Sequence, residues 1–149
     1  MYLFNTRESG STVNDTENAR YTHATINTDN GTGGVNGMIL FPDGITVAGD
    51  EASSWGNINS TRTWADDTKC TSDQWTALAA KGCVFLPAAG WRSGVTIYYV
   101  GDQGIYWSSS PQEENKSYCV VFSDNKLNPA DNSYRRSGRS VRLVREVDL

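Results

Sequence analysis

Histidine is almost missing from this chain: His23 stands alone among 149 residues. A Ser-His-Asp arrangement is therefore excluded everywhere except around His23, and no partner motif surrounds it. His23 reads as a structural or surface residue. Cysteine is scarce as well, with Cys70, Cys83 and Cys119 only. An odd number without repeated spacing argues against a disulfide framework and against a zinc site. No stretch approaches the roughly 18 apolar residues of a membrane helix. No basic-then-apolar signal segment opens the chain. It starts abruptly on apolar Tyr2-Leu3-Phe4, so further chain is expected upstream. Internal repeats and low-complexity tracts are absent.

Hydrophobic residues are few at 38%, but five Trp, seven Tyr and four Phe offset this, because each buries a large area. A single domain over 1–149 with its own core is expected. Fourteen Gly and many Ser, Thr, Asn and Asp imply many ordered loops. The net charge of −4 is uneven. Residues 1–90 carry 5 basic and 10 acidic groups, and residues 91–149 carry 8 and 7. Five arginines between 135 and 145 have no acid among them. The pI of about 4.9 argues against nucleic acid as a partner, since such domains are usually basic overall.

Along the chain, "ARYTHATINTDNGTGGVNGMILFPDGITVAG" alternates, turns at Asn30-Gly31 and runs apolar through Met38-Ile39-Leu40-Phe41. It reads as a strand, a Gly-rich turn and a buried strand ending at Pro42. Residues 50–70 read as a long loop pinned by Trp55 and Trp64. "TSDQWTALAAKG" predicts a helix over 72–81, capped by Thr71 or Ser72 and ended by Gly82, with Trp75, Leu78 and Ala79 on one face. Such a helix spans about 16 Å. Cys70 and Cys83 at its ends are then beyond the ~7 Å Cα separation that a disulfide requires. "CVFLPAAG" reads as a short buried strand cut by Pro87, with Cys83 packed as a small apolar residue.

The last third changes character. "TIYYVGDQGIYWSSS" reads as a hairpin around Gly101-Asp102-Gln103-Gly104. In "SYCVVF" the pleat sends Tyr118, Val120 and Phe122 to the core and Cys119 and Val121 to solvent. "RSVRLVREV" reads as a closing strand, with Val141 and Leu143 alternating with Arg142 and Val144. Between these regular stretches lie miscellaneous ones: Gln-Glu-Glu-Asn-Lys, Asp-Asn-Lys and Tyr-Arg-Arg. Trp107 reads as the core anchor of the regular part. The expected class is α+β, with few helices, short antiparallel strands and many ordered loops.

"LPAAGWRSG", "VGDQGIYWSSSP", "SYCVVF" and "RRSGRSVRLV", with "YLFNTR", "ARYTHATINT" and "GMILFPDG" upstream, are similar to the variable proteins of diversity-generating retroelements. These form a bacterial and phage surface family with a C-type lectin-like fold, in its formylglycine-generating-enzyme-like subclass. The order of these motifs covers nearly the whole chain. In that family an error-prone reverse transcriptase rewrites adenines near the end of the gene, and codons without adenine are spared. Gly104, Trp107, Ser108, Ser109, Phe122, Gly138, Val141 and Val144 are residue types that codons of that kind encode. Asn codons such as AAC are favoured targets. Gln112, Glu113, Glu114 and Lys116 do not arise from AAC and would need other template codons.

The resemblance implies a C-type lectin-like domain in which 91–144 is the variable, ligand-binding part. Its partner would be a cell-surface protein or a glycan, and its location the bacterial surface, the secreted space or a phage virion. The expected contacts from the first stretch are Trp91, Ser93, Tyr98, Tyr99, Asp102 and Tyr106. From the second they are Cys119, Val121, Lys126 and Asn128, and from the third Tyr134, Arg136, Ser137 and Arg139. Tyr with small polar residues suits such a surface, because Tyr offers contact area at low entropic cost. The alternative is a non-diversified surface or fimbrial module of the same fold. Catalysis and a cofactor are not expected. A formylglycine-generating enzyme would use a close pair of cysteines on copper, which Cys70 and Cys83 do not form. No metal site is expected either, since the Glu-Pro-Asn and Trp-Asn-Asp motifs of calcium-dependent lectins are absent. Direct membrane insertion is not expected.

Overall fold

A computed structural model describes residues 21–28, 33–42, 63–65, 69–124 and 126–143. The Asn30-Gly31 turn, Trp55, the opening "YLFNTR" and Val144 lie outside the described residues. Among the described residues, eight strands and one helix follow in the order β1 (Tyr21–Thr28), β2 (Gly33–Leu40), α1 (Ser72–Ala80), β3 (Val84–Pro87), β4 (Trp91–Ser93), β5 (Thr96–Tyr98), β6 (Gln103–Glu113), β7 (Lys116–Ser123) and β8 (Lys126–Tyr134). They form three antiparallel sheets, β1-β2-β3, β4-β5 and β6-β7-β8.

The expected α+β, C-type lectin-like class is corrected. Strand accounts for 61% of the described residues and helix for 10%, so the fold is mostly β. The physical reason lies in 103–134. β6 runs on past Trp107-Ser108-Ser109-Ser110 through Pro111 to Glu113, and β8 continues through Pro129 to Tyr134, where polar residues and prolines give no strand pattern.

The first sheet is covered on both faces, and β1 buries polar Thr22, His23 and Thr25 along with its apolar residues. Ile39 and Phe41 point to α1, where they pack with Ala24, Ile26, Cys70, Leu78 and Cys83. Met38 and Leu40 point the other way and meet Leu86, Ala88, Tyr106 and Phe122. The helix begins in a reciprocal cap. The Thr71 hydroxyl accepts from Gln74 N–H at 3.2 Å, and the Gln74 side chain accepts from Thr71 N–H at 2.8 Å. Leu78 is its fully buried residue, Trp75 reaches the Phe85 ring at 5.7 Å, and Ala79 is exposed. Cys70 and Cys83 flank it, and no disulfide links the three cysteines.

The third sheet has one face on this core. Tyr106 and Phe122 stack at 6.2 Å with an interplanar angle of 9°. The Tyr106 hydroxyl donates to Pro87 O at 2.9 Å, tying the two large sheets together. Gly104 sits opposite Phe122, and a Cβ there would lie 1.9 Å from the Phe122 ring, so only glycine lets the ring lie flat on the strand.

The hairpin expected at Gly101–Gly104 is also corrected. β5 turns back through Gly94-Val95 onto β4 instead of pairing forward with β6. Residues 99–102 are a connection fixed by backbone bonds from Gly101 N–H to Ala88 O (2.7 Å) and from Gln103 N–H to Tyr99 O (3.0 Å). Gly90, at φ +68°, passes under it, where a Cβ would meet Tyr98 O at 2.1 Å. Over 139–143, the described part of the expected closing strand, no strand forms. Gly138 and Ser140 make isolated bridges to Arg92 and Tyr106, and Val141 and Leu143 are 62% and 87% exposed.

Candidate functional site

The outer face of β6-β7-β8, turned away from the core, and the β4-β5 hairpin beside it hold most of the expected contacts. Trp107 and Cys119 are cross-strand neighbours on this face. Arg139, from the segment after β8, lies over them. Its guanidinium is 5.1 Å from the Trp107 ring and 6.0 Å from the Trp91 ring. One terminal nitrogen donates to Ser133 Oγ, the other approaches Cys119 Sγ at 3.8 Å, and Nε has no hydrogen-bond partner among the described residues. Trp91 stacks on Tyr98 at 4.8 Å and 23°. The result is a layered arrangement of Tyr98, Trp91, Arg139 and Trp107, held by stacking and cation–π attraction.

Several expectations change here. Cys119 was expected in solvent; it is on the outer face but 1% exposed, because Arg139 and its indole neighbours roof it. Burial pushes its thiol pKa up, and the Arg139 charge offsets part of the rise. Tyr106 was expected beside it; it points into the core with Phe122, since it pairs with Val120 and shares the inward parity. Burial raises its hydroxyl pKa against the lowering effects of Ser140 and Arg142. Tyr118, expected inward, is 37% exposed, whereas Val120 and Phe122 on the same parity do pack inward. Trp107 is half-buried on the outer face rather than the centre of the core.

The other expected contacts fall into three groups. Ser93, Tyr98, Tyr99 and Asp102 are exposed on and after the β4-β5 hairpin, where Tyr99 adopts φ +56°. Half-buried Val121 joins exposed Lys126 and Asn128 in a shallow hollow of about 560 Å³, together with Gln103 and Asp131. Tyr134 and Arg136 are exposed at the far end of β8, with the Arg136 guanidinium 4.9 Å and the Lys116 ammonium 5.6 Å from the Tyr134 ring. Ser137 is half-buried there, and its N–H bonds Tyr134 O at 3.0 Å. Lys116 also reaches Glu113 at 3.3 Å, and hydrogen bonding to Lys116 holds the Glu113 carboxyl below its ordinary pKa. The expected contacts thus lie in separate groups around the third sheet and the hairpin, with Tyr106 and Cys119 buried.

Residues the sequence reading passed over are Val95, Ile97 and Val100, which are 98%, 63% and 66% exposed beside Tyr98 and Tyr99. Their signal was present: an apolar run lying between Gly94 and Gly101, too short and too open to be core. A second hollow, of about 520 Å³, lies between the first and third sheets and is lined chiefly by apolar side chains such as Leu40, Val84 and Val120. Its rim residues Pro42 and Leu143 lead into chain outside the described residues. Among the described residues no group of three or more His, Cys, Asp or Glu is placed to hold a metal ion. No helix among them is long and apolar enough to cross a membrane.

Fold and surface together define a mostly-β domain that carries aromatic and arginine side chains on one outer face. Residues 48–144 match the family described as "Domain of unknown function (DUF8237)", and the chain belongs to that family. Comparison with curated proteins and with solved structures returns no match.

Proposed function

We propose that this domain is a non-enzymatic binding module whose C-terminal part presents a diversified surface to a protein or glycan on a cell surface. The observation that carries this reading is the division within β6-β7-β8. One face is committed to the core through Tyr106, Val120 and Phe122. The strand ends and the neighbouring hairpin display Tyr98, Tyr99, Tyr118 and Tyr134 with Arg136, Lys126 and Asn128. Aromatic and arginine side chains on a rigid support are the types that dominate binding energy at interfaces. The support is independent of the displayed groups, so the latter can change without loss of the fold. Diversification by a retroelement is part of the proposal, as is a location at the bacterial surface, outside the cell or on a virion.

Two measurements test it. Sequencing the locus across a population should reveal a nearby reverse-transcriptase gene, a template repeat, and substitutions at adenines confined to codons 91–144. An invariant locus without either element sinks the diversification and leaves a fixed surface module. Arrays of glycans and of bacterial surface proteins, probed with the wild type and with Tyr134→Ala/Arg136→Ala, should give a signal that the double variant loses while its melting curve is unchanged. A signal equal in both removes this surface from the reading.

A further inference from the structure

We infer that the hollow of about 520 Å³ between the first and third sheets is a binding slot for a medium-chain alkyl carboxylate, with the tail between the sheets and the acid group on Arg142. The slot is separate from the outer face, and the inference stands whether or not the binding-module reading holds.

Unequal strand lengths make the slot. Leu40 and Val84 are the last pair of the first sheet, while β6 runs on from Tyr106 to Glu113. Tyr106 is buried, whereas Ser108, on the same parity two residues further, is exposed. The third sheet thus outreaches the first, and a gap opens beneath it. Leu40, Val84 and Leu86 form one wall, and Tyr106, Val120 and Pro129 the other. Val84, Val120 and Pro129 are half-buried, so the packing of the described residues leaves apolar surface partly uncovered there.

The polar groups of the slot gather at one margin. Tyr106 bridges Ser140 in parallel, and Trp107 N–H bonds Ser140 O at 3.0 Å. Two residues further along both segments, Ser108 and Arg142 stand at matching positions, and both line the slot. Arg142 is exposed and makes no hydrogen bond or ion pair among the described residues. Burial raises the Tyr106 hydroxyl pKa, and Ser140 and then Arg142 offset part of the rise, so the guanidinium is within electrostatic reach of the inner end. Ser108 Oγ accepts from Ser110 N–H at 2.9 Å, and its own proton has no acceptor among the described residues. No carboxylate is among the lining residues.

This lining selects the occupant. A peptide brings an N–H and a C=O with every residue, and between apolar walls these would be buried unpartnered. The Tyr106 hydroxyl is already given to Pro87 O, which leaves two polar side chains at one end. A sugar, with a hydroxyl on nearly every carbon, fails for the same reason. A hydrocarbon tail brings no such groups and is held more tightly by each methylene it hides. A neutral apolar molecule would leave Arg142 unused. A carboxylate head matches the planar guanidinium and accepts from the Ser108 hydroxyl as well. Apolar walls with a few polar groups at one end are the usual make-up of a small-molecule site, and the volume is of the usual size.

The probe is decanoate, titrated into the isotopically labelled full chain and followed by NMR, with hexanoate, decanol and decylamine as controls. Decanoate should shift the methyl groups of Leu40, Val84, Leu86 and Val120 and leave those of Val95 and Val121 in place. Affinity should rise about fourfold per methylene from hexanoate to decanoate. Decanol and decylamine should bind about tenfold more weakly than decanoate. Arg142→Gln, a change at an exposed side chain, should weaken decanoate by about the same factor at an unchanged melting temperature and leave decanol unaffected. Equal affinities for decanoate and decanol overturn the inference, as does an Arg142→Gln chain that binds decanoate like the wild type. Shifts confined to Val95, Ile97 and Val100, or no shifts at all, overturn the slot itself. Nuclear Overhauser contacts in the free chain from the Val84 and Val120 methyls to residues 43–62 or 144–149 overturn it in favour of a cover supplied by the chain.

Discussion

The sheets β1-β2-β3 and β6-β7-β8 are built alike, three antiparallel strands each, yet they are covered differently. The first is enclosed, with α1 on one side and the third sheet on the other. Its β2 strand ends in the apolar run Met38-Ile39-Leu40, which Phe41 continues. The third is enclosed on one side only. On its outer face Ile105 and Cys119 are still buried and Trp107 and Val121 half-buried, while Ser, Asn and Lys are exposed along β8 and the end of β6. An enclosed sheet restrains both parities of its sequence and a half-enclosed one restrains a single parity. Variation without loss of fold is therefore easiest at the exposed positions of the third sheet and costly on the first.

Four substitutions break or sharpen that contrast. Phe122→Ala removes a fully buried ring from the shared core and should cost about 3–5 kcal/mol by chemical denaturation. A loss below 1 kcal/mol would mean that the third sheet has no restrained parity. Trp107→Ala strips the outer face of a half-buried indole and its contact with Arg139, so about 1–2 kcal/mol is expected in the same assay. A cost equal to that of Phe122→Ala would show both faces to be core. Val121→Asp places a carboxylate in the hollow with Lys126 and Asp131 and should cost less than about 1 kcal/mol while altering ligand binding. Several kcal/mol there would mean a strand register shifted by one residue. Arg136→Ala, fully on the surface, should stay within about 0.5 kcal/mol of the wild type in melting experiments.

What could be read from the sequence follows the same division. The helix was legible to within a residue, because Thr71, Leu78 and Gly82 are local signals of start, face and end. The β1-β2 hairpin was legible from its alternation and its glycines. β8 was not, since "KLNPADNSY" is polar and contains a proline; only the bulge opposite Val120 admits that residue to a strand. The inward places of Val120 and Phe122 followed from parity alone. Tyr118 broke that rule, being exposed on the parity that Val120 and Phe122 bury. Cys119 was assigned the correct face but the wrong exposure. Its cover comes from Arg139, twenty positions further on, and no local pattern announces a roof. Glycines at 101 and 104 suggested a turn there, while the actual turn used the less conspicuous Gly94-Val95.

The contact between Gly104 and Phe122 has a consequence for descent. Because the ring occupies the space that any β-carbon at 104 would need, the two positions cannot drift separately. A lineage that gained alanine at 104 would first have to shrink the residue at 122, opening a hole beside Tyr106. Each single step passes through a poorly folded ancestor. Across related genes this pair should therefore be inherited as one character, however freely the codons on either side of it are rewritten.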